Sequence, residues 1–344
     1  MESAHSHRKD EHLALAEAQQ RQATLVSSLD QVRIIPNGLP ESSVAKVNLT
    51  STDSKFPFEA PFYIEAMTGG SRKTGSINEK LAMAARETNI AMAVGSQSIA
   101  LKDPSVAETF TIARKTNPAG FLIANIGAGH NLADAQAAID MIDANALEVH
   151  INVAQEIVMP EGDRDFIWQA ELAEIIQKVS VPVIIKEVGF GMSQQTIQTL
   201  ANLGAQYINL GGRSGTNFAR IEDRRNRELD AEHAYLYDWG LTTAESLLEA
   251  QKIVQRPTIF ATGGIQSPLD VLKAQILGAR AVGVAGHFLH TVLTTDTAGL
   301  ISEIERWQYH LAKLYALTGA EDYSDLANVE YVLSSELLNF AQQR

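Results

Sequence analysis

Residues 147–166 concentrate side chains that could carry acid–base and metal chemistry. His150 and Asn152 alternate with apolar residues, so they share one face of a predicted strand. Gln155 and Glu156 follow directly after the predicted end of that strand. An imidazole can act as a general acid or base, amides can orient a substrate, and a carboxylate can bind a divalent cation. We therefore expect an active site to be organised around this stretch.

Eight short apolar segments, each a candidate β-strand, recur from Phe62 onward. They are Phe62–Ala66, Ile90–Val94, Phe121–Asn125, Leu147–Asn152, Val183–Glu187, Tyr207–Leu210, Thr258–Ala261 and Ala281–Ala285. Helical patterns separate most of them, at Ile77–Thr88, Val106–Thr116, Leu132–Ala144, Phe166–Val179, Ser193–Leu203, Thr242–Ile253 and Pro268–Leu277, and a last one covers Leu300–Ala316. Eight strand–helix units predict an α/β fold, the (β/α)8 TIM barrel. An open doubly wound sheet is the competing fold, and the glycine-rich turns favour closure.

The predicted barrel, residues 61–320, is flanked by an N-terminal extension, residues 1–60, and a C-terminal helical tail, residues 321–344. The extension contains a helix-forming run, Leu13–Gln22, preceded by the basic cluster RKDEH, which alone is typical of a solvated terminus. A long charged connection, residues 211–240, follows the sixth strand. A loop of that length in a compact barrel is usually functional or mobile.

Polar residues or glycines follow every predicted strand, where the active sites of barrel enzymes lie. Glycines and hydroxyl residues end the last three strands, and the sequence GGIQSP before a helix predicts a phosphate site. Thr68, Ser96 and Asn125 offer neutral donors and acceptors for the edge of a heterocycle. Lys186 lies within an apolar strand, which predicts a cation held in the barrel mouth. Together these features indicate flavin mononucleotide (FMN).

The composition limits the possible classes of function. A formal net charge of −13 argues against a general nucleic-acid or anionic-membrane surface. The absence of cysteine excludes disulfides, thiolate nucleophiles and cysteine-ligated zinc or iron–sulfur centres. No apolar run has the length of a transmembrane helix and the charged N-terminus is no signal peptide, so we expect a cytoplasmic protein.

The sequence HINVAQEIVMPEGDRDF, with AMTGG before it and GGRSGTNFARIEDRR after it, resembles the type 2, FMN-dependent isopentenyl-diphosphate delta-isomerases. RKDEH, VGSQ, the asparagine of LIANIGA and VIIKEVGFGMS extend the resemblance over essentially the whole chain. The resemblance implies an isomerase of isoprenoid biosynthesis that interconverts isopentenyl and dimethylallyl diphosphate. It implies reduced FMN and Mg²⁺ as cofactors, NADPH as the flavin reductant, and a homo-oligomer, either a tetramer or an octamer.

Position by position, the resemblance assigns roles to matching residues. The implied FMN contacts are Ala66, Met67, Thr68, Gly69, Ser96, Asn125, Lys186, Ser214, Thr216, Gly263, Gly264, Gln266, Ala285 and Gly286. The implied substrate contacts are Arg8, Lys9, His12, Ser96, Gln97 and Gln155. His150, Asn152 and Gln155 fall in the catalytic pocket, and Glu156 is the implied Mg²⁺ ligand. The basic N-terminal cluster then becomes an arm that closes over a diphosphate, from the same or a neighbouring subunit.

Two positions depart from the family pattern. Ser98 and Gln266 stand where many members carry arginine, and Arg213 or Arg220 is the expected replacement for the missing phosphate contacts. For the mechanism, our hypothesis is that reduced flavin or a group near Gln155 protonates the alkene while the flavin stabilises the cation that develops.

The alternative function is that of an FMN-dependent 2-hydroxy acid dehydrogenase or oxidase, which has a similar barrel. That family carries a His-Gly-Gly-Arg base at the sixth strand, where this chain has Leu210. A nucleotide dehydrogenase of this architecture requires a catalytic cysteine, and the chain has none. A flavin-binding protein without activity is disfavoured by the presence of His150, Gln155 and Glu156.

Overall fold

A computed structural model describes residues 4–22, 27–225 and 231–344. Its ten strands are β1 (Val32–Ile34), β2 (Phe62–Ile64), β3 (Met92–Ala93), β4 (Leu122–Gly127), β5 (Ala146–Ile151), β6 (Val183–Glu187), β7 (Tyr207–Asn209), β8 (Thr258–Thr262), β9 (Ala281–Val284) and β10 (Tyr331–Leu333). Strands β2 to β9 pair in parallel and in chain order, and β9 pairs back with β2 to close the barrel. The predicted (β/α)8 TIM barrel is confirmed, and an open sheet is excluded.

The helices surround the barrel and also cover its mouth. They are α1 (Ala4–Gln22), α2 (Arg72–Thr88), α3 (Ser98–Lys102), α4 (Glu108–Thr116), α5 (Leu132–Met141), α6 (Val153–Val158), α7 (Gln169–Lys178), α8 (Gln194–Asn202), α9 (Phe218–Arg225), α10 (Thr243–Gln251), α11 (Pro268–Ile276), α12 (Gly286–Thr294), α13 (Thr297–Thr318) and α14 (Ser335–Gln343). Side-chain caps fix several starts: the Ser71 hydroxyl accepts from the Thr74 amide at α2, and Ser267 accepts from Asp270 at α11. Within the described residues, no helix combines the length and apolarity needed to cross a membrane.

Alternation along each strand separates the barrel interior from the layer that packs against the helices. In β5, Leu147 and Val149 join the core beneath the helices, and Ala146 joins the interior of the barrel. Glu148 and His150 share the inward face with Ala146, because successive side chains of a strand point to opposite sides. This is why an imidazole at the end of β5 reaches the barrel mouth.

An aromatic plug closes the amino-terminal end of the barrel. The Phe56 ring lies 4.5 Å from the Tyr207 ring and 5.1 Å from the Phe260 ring, measured between centroids. Phe56 and Phe58 come from the segment before β2 and are 1% and 3% exposed. Ligands can therefore approach the interior from the carboxyl ends of the strands.

Residues before and after the barrel meet in a small antiparallel sheet. Strand β1 pairs with β10, with Val32 opposite Leu333. The tail was predicted to be a terminal helix, and it contains a strand and a 3₁₀ turn (Tyr323–Asn328) before the helix α14. The extra strand forms because it pairs with the edge of β1. The sequence of the tail alone does not predict it, because β1 lies in a distant part of the chain.

Four helices were not predicted: α3, α6, α9 and α12. Each follows a barrel strand at its carboxyl end, and all four contribute side chains to the cavity described below. Short helices at a ligand pocket lack the apolar stripe of a core helix, so the sequence pattern did not reveal them.

Candidate active site

A cavity of about 430 Å³ opens at the carboxyl ends of the barrel strands, beneath α1. Most of the predicted site residues line it: Arg8, Lys9, His12, Ala66, Met67, Gly69, Ser96, Asn125, His150, Asn152, Gln155, Glu156, Lys186, Thr216, Gly263, Gly264, Gln266, Ala285 and Gly286. These residues are far apart in sequence and converge because the strands of the barrel end at one rim.

Three predicted site residues have side chains outside the cavity lining. The Gln97 amide donates to the Ala138 carbonyl at 2.9 Å and its oxygen accepts from the Asn125 amide at 3.0 Å, so it faces α5. The Thr68 hydroxyl bonds to Asn78, and the Ser214 hydroxyl donates to the carbonyl of Arg213 at 2.7 Å. These three side chains bond to neighbouring protein groups and support the rim, and they do not line the cavity.

Glycines at the ends of β7 and β8 form a cradle with no side chains in the way. Gly263 and Gly264 have φ values of +110° and +72°, which side-chain-bearing residues rarely adopt. A Cβ at Gly264 would lie 2.5 Å from the Ser214 Cβ, and one at Gly215 would lie 2.9 Å from the Gly264 nitrogen. This close packing of backbone, with Thr216 beside it in the lining, fits a phosphate group bound by N–H donors.

The opposite wall, at the end of β5, carries polar side chains that hold one another in place. Asn152 Nδ2 donates to Glu156 Oε1 at 2.7 Å and lies 3.4 Å from Gln155 Oε1. The other oxygen of Glu156 accepts from the Asp163 amide at 2.9 Å. The helix α6 therefore presents Gln155 and Glu156 to the cavity in a fixed arrangement.

His150 is a neutral imidazole in this environment. Burial, and then the positive charges of Lys186, Lys9 and His130, lower the pKa of His150 to about 3. Its Nδ1 lies 3.0 Å from Asn125 Oδ1, which accepts, so Nε2 carries the free lone pair. A neutral ring with one donor and one acceptor orients a substrate better than it protonates one.

The helix α1 lies across the mouth of the cavity, and Arg8, Lys9 and His12 on it line that cavity. Arg8 pairs with Glu161 at 3.1 Å, and His12 bonds to Glu222 of α9 at 2.8 Å. Further along α1, Gln20 Nε2 donates to Gln266 Oε1 at 2.9 Å. The helix is longer than the predicted run Leu13–Gln22, because RKDEH is part of it.

Burial, and then the charge of Arg8, lower the pKa of Lys9 to about 8. Burial also lowers the pKa of His12, against the opposing effect of Glu222. Burial favours the neutral form of His12, whereas Lys9 is an enclosed ammonium group beside a second cation, Arg8. This is the electrostatic state that favours an anionic ligand.

The predicted replacements for the missing arginines do not lie in the cavity lining. Arg213 pairs with Asp238 at 3.4 Å, and the Arg220 guanidinium stacks 4.4 Å from the centre of the Tyr237 ring. Lys102 and His130 line the cavity instead. The expectation for Arg213 and Arg220 was wrong, because Arg213 in the loop after β7 and Arg220 in α9 both bind partners outside the cavity lining.

His130 completes a hydrogen-bonded chain that sequence reasoning missed. Its Nδ1 lies 2.9 Å from Asp134 Oδ2, and its Nε2 lies 2.8 Å from the Ser98 hydroxyl. Ser98 Oγ in turn lies 3.0 Å from Ser96 Oγ. The spacing of His130, just before α5, and Asp134 in its first turn was the available signal. The structure gives it a meaning, because the ends of β3 and β4 lie side by side and bring Ser98 next to His130.

Apolar side chains form a further part of the lining. They are Leu13, Ala16, Met159, Trp168, Phe218, Ile221 and Leu289. None was predicted, because an apolar residue at a pocket cannot be distinguished from a core residue in the sequence. The cavity therefore combines polar groups at its rim and floor with a surface suited to a short hydrocarbon chain.

Among the described residues, no group of three or more His, Asp and Glu side chains is arranged to hold a metal ion. Glu156 supplies one carboxylate at the cavity. A single carboxylate fits Mg²⁺ bound mainly by substrate phosphate oxygens and water, the usual arrangement for this ion. The donor set does not fit a metal held by the protein alone.

Comparisons with known proteins agree with this geometry. A family model described as FMN-dependent dehydrogenase matches residues 117–332. The isopentenyl-diphosphate delta-isomerase of Limosilactobacillus reuteri is 49% identical over 346 residues, covering 100% of this chain and 99% of the relative. The protein of the same name from Lacticaseibacillus paracasei is 47% identical, covering 100% and 98%, and that from Staphylococcus epidermidis is 44% identical, covering 100% and 97%.

Solved structures share the fold at much lower identity. A flavocytochrome b2 variant aligns with a TM-score of 0.67 and 18% identity over 95% of this chain and 81% of its own. A mandelate oxidase variant aligns with a TM-score of 0.62 and 18% identity over 91% and 92%. At this identity, the similarity concerns the barrel alone.

Proposed function

Because the chain belongs to the type 2, FMN-dependent isopentenyl-diphosphate delta-isomerases, we propose that it interconverts isopentenyl and dimethylallyl diphosphate. The observation that carries the proposal is the two-sided cavity. A glycine cradle suited to the FMN phosphate faces a polar wall with Gln155 and Glu156, and an apolar lining lies between them.

The reaction moves a double bond by adding one proton and removing another, so no net oxidation takes place. When bound, reduced FMN supplies an electron-rich ring beside which a developing carbocation is stabilised. The cradle would hold the phosphate of FMN, and Lys186 lines the floor of the cavity beneath the ring. Lys186 provides positive charge for an anionic flavin.

The residues of the β5 wall hold the substrate against the cofactor. Neutral His150 and the amides of Asn152 and Gln155 act as positioning groups, which hold one face of the alkene toward the cofactor. The enclosed apolar lining excludes water, which would otherwise capture a carbocation. We assign no proton transfer to His150, because its low pKa makes it a poor acid at neutral pH.

The rim of the cavity binds the diphosphate. Arg8, Lys9 and His12 reach it from α1, and the hydrogen-bonded chain Asp134–His130–Ser98 holds Ser96 at the rim. We propose that Lys102 supplies the positive charge that arginine supplies in many relatives, and that His130 adds hydrogen bonding beside it. Glu156 holds Mg²⁺ together with the diphosphate.

NADPH as the reductant and a homo-oligomeric state remain predictions. Bleaching of the flavin absorbance by NADPH and by NADH, compared at equal concentration, tests the first. Light scattering on the purified protein tests the second.

The rival function is oxidation of a 2-hydroxy acid. Leu210, at the position of the expected base, is fully buried in the core and offers no proton acceptor. The test supplies purified, FMN-loaded protein with isopentenyl diphosphate after anaerobic reduction, and separately supplies oxidised protein with lactate or mandelate. Formation of dimethylallyl diphosphate supports the proposal; bleaching of the flavin by a 2-hydroxy acid, without isomerisation, supports the rival.

A further inference from the structure

Two carboxyl groups are buried together in the interior of the barrel, at the floor of the cavity. Glu65 follows β2 and is 1% exposed, and Glu148 lies in β5 and is 0% exposed. The ammonium group of Lys186, a residue that is 7% exposed, lies 3.9 Å from Glu65 Oε1. Two ionised carboxylates beside one ammonium group would leave a negative charge buried without compensation, which is costly.

The hydrogen bonds around the two groups are unequal. Glu65 faces donors at both oxygens: Ala66 N at 2.8 Å from Oε1, and Tyr63 Oη at 3.0 Å, Asn209 Nδ2 at 2.7 Å and Thr262 Oγ1 at 2.7 Å from Oε2. An oxygen pair surrounded by donors is that of an ionised carboxylate.

Glu148 has fewer donors. Its Oε2 accepts from Asn125 Nδ2 at 3.0 Å, and its Oε1 lies 3.4 Å from Tyr63 Oη. The Tyr63 hydroxyl has one hydrogen, which the nearer Glu65 takes, and its oxygen accepts from Asn209 Nδ2 at 3.0 Å, so one lone pair of Oη is left for Glu148. Burial, and then the neighbouring Glu65, raise the pKa of Glu148 well above its usual range. Burial followed by the two carboxyl groups also raises the pKa of Tyr63, which keeps its proton.

We propose that Glu65 and Glu148 form an asymmetric acid pair, in which Glu65 alone carries the negative charge that positions Lys186 and Glu148 remains protonated. Glu148 then donates its proton to Tyr63 Oη. Glu65 and Lys186 line the cavity, whereas Glu148 does not. The charge of Glu65 offsets that of Lys186, and in this way it sets the reduction potential of the flavin. This consequence rests on the proposed binding of FMN.

Other ionisable groups near this floor are His150 and Glu187. His150 is neutral, with its pKa lowered to about 3 by burial and by the nearby cations. Glu187 Oε2 accepts from the amides of Gly189 and Gly191 at 2.7 and 3.0 Å, and burial raises its pKa to about 7 despite those bonds. Neither bonds to Glu65 or Glu148 in the described network.

The same substitution at the two positions gives a matched test. In Glu148→Gln, the new amide donates to Tyr63 Oη and its oxygen accepts from Asn125, so hydrogen bonds and charge are both preserved. In Glu65→Gln, the new NH₂ group meets donors in either orientation, and the countercharge of Lys186 is lost. The floor of the cavity is then more positive in Glu65→Gln, and this charge stabilises the anionic, reduced form of the flavin.

The measurement is the midpoint potential of bound FMN, without substrate, in the wild type and both variants. We expect Glu65→Gln to raise the equilibrium constant for reduction at least tenfold, about 30 mV for two electrons. We expect Glu148→Gln to leave it unchanged. Equal shifts in the two variants, or no shift in Glu65→Gln, would overturn the proposal.

A second measurement needs neither bound FMN nor the Glu65 variant. Infrared spectra of the apoprotein at pH 8 should show the C=O stretch of a protonated carboxyl group, and Glu148→Gln should remove it. A wild type without that band, or a band that persists in Glu148→Gln, contradicts the acid pair. Protein that binds no FMN would instead defeat the proposed function and leave the infrared result interpretable.

Discussion

The glycine cradle after β7 and β8 and the polar wall after β5 face each other across one cavity, and they are built in opposite ways. The cradle presents backbone, with positive φ values at Gly263 and Gly264 and no room for side chains. The wall presents side chains, and its shape depends on hydrogen bonds between Asn152 and Glu156. The difference fits the proposed function, in which a permanent cofactor is held by backbone and the substrate is held by side chains that bond to one another.

Gly264→Ala breaks the cradle and should have the largest effect. An alanine at a φ of +72° costs about 1–2 kcal/mol, and its Cβ would lie 2.5 Å from Ser214 Cβ. We expect FMN affinity to fall more than about tenfold, measured by flavin fluorescence on titrating apoprotein. Gly38→Ala is the control, because a Cβ there meets nothing within 4 Å. Normal FMN affinity in Gly264→Ala would contradict the cradle.

Glu156→Gln breaks the wall and leaves the cradle intact. The amide keeps the size of the carboxylate and removes its charge, so the Mg²⁺ concentration for half-maximal activity should rise at least about tenfold. Asp165→Asn is the matched control, since Asp165 lies in the same loop and outside the cavity lining. If both variants kept the wild-type Mg²⁺ dependence and FMN content, Glu156 would not be the ligand.

Lys9→Arg tests whether the charge of α1 contributes to the binding of the substrate diphosphate. Since burial lowers the pKa of Lys9 to about 8, its charge is present below that pH and is lost as the pH rises through it. Pyrophosphate binding to wild-type protein should therefore weaken by up to about fivefold between pH 7 and pH 9, corresponding to ~1 kcal/mol for the loss of one charge pair with the anion. Lys9→Arg should flatten this dependence in calorimetric titrations, and an equally steep curve in the variant would place the titrating group elsewhere.

His150→Asn should have the smallest effect on the pH dependence of the reaction, because it should leave the shape of that dependence unchanged. With a pKa of about 3, His150 stays neutral from pH 5 to pH 8. The variant should lose activity through poorer positioning of the substrate, while its profile of kcat against pH keeps the wild-type shape. A limb of the profile that disappears in the variant would show that His150 titrates during catalysis.

The barrel could be predicted because its strands are continuous apolar segments, each read from its own residues. Strand β6 was predicted with its observed bounds, Val183–Glu187. The wall could also be predicted, since His150 to Glu156 are neighbours in sequence. Groups that depend on distant residues could not: Ser98 gains meaning from His130, and Glu65 from Glu148 and Lys186. Arg213 and Arg220 show the converse error, because charge in a loop does not reveal which way a side chain turns.

The most direct test of the account counts product molecules for each reducing equivalent. The FMN-loaded protein is reduced once, anaerobically and in the presence of Mg²⁺, and isopentenyl diphosphate is then added in large excess. The account predicts dimethylallyl diphosphate far in excess of the reductant supplied, followed by proton NMR, with the flavin still reduced at the end. One product molecule per reducing equivalent, or full activity of the oxidised protein, would contradict it.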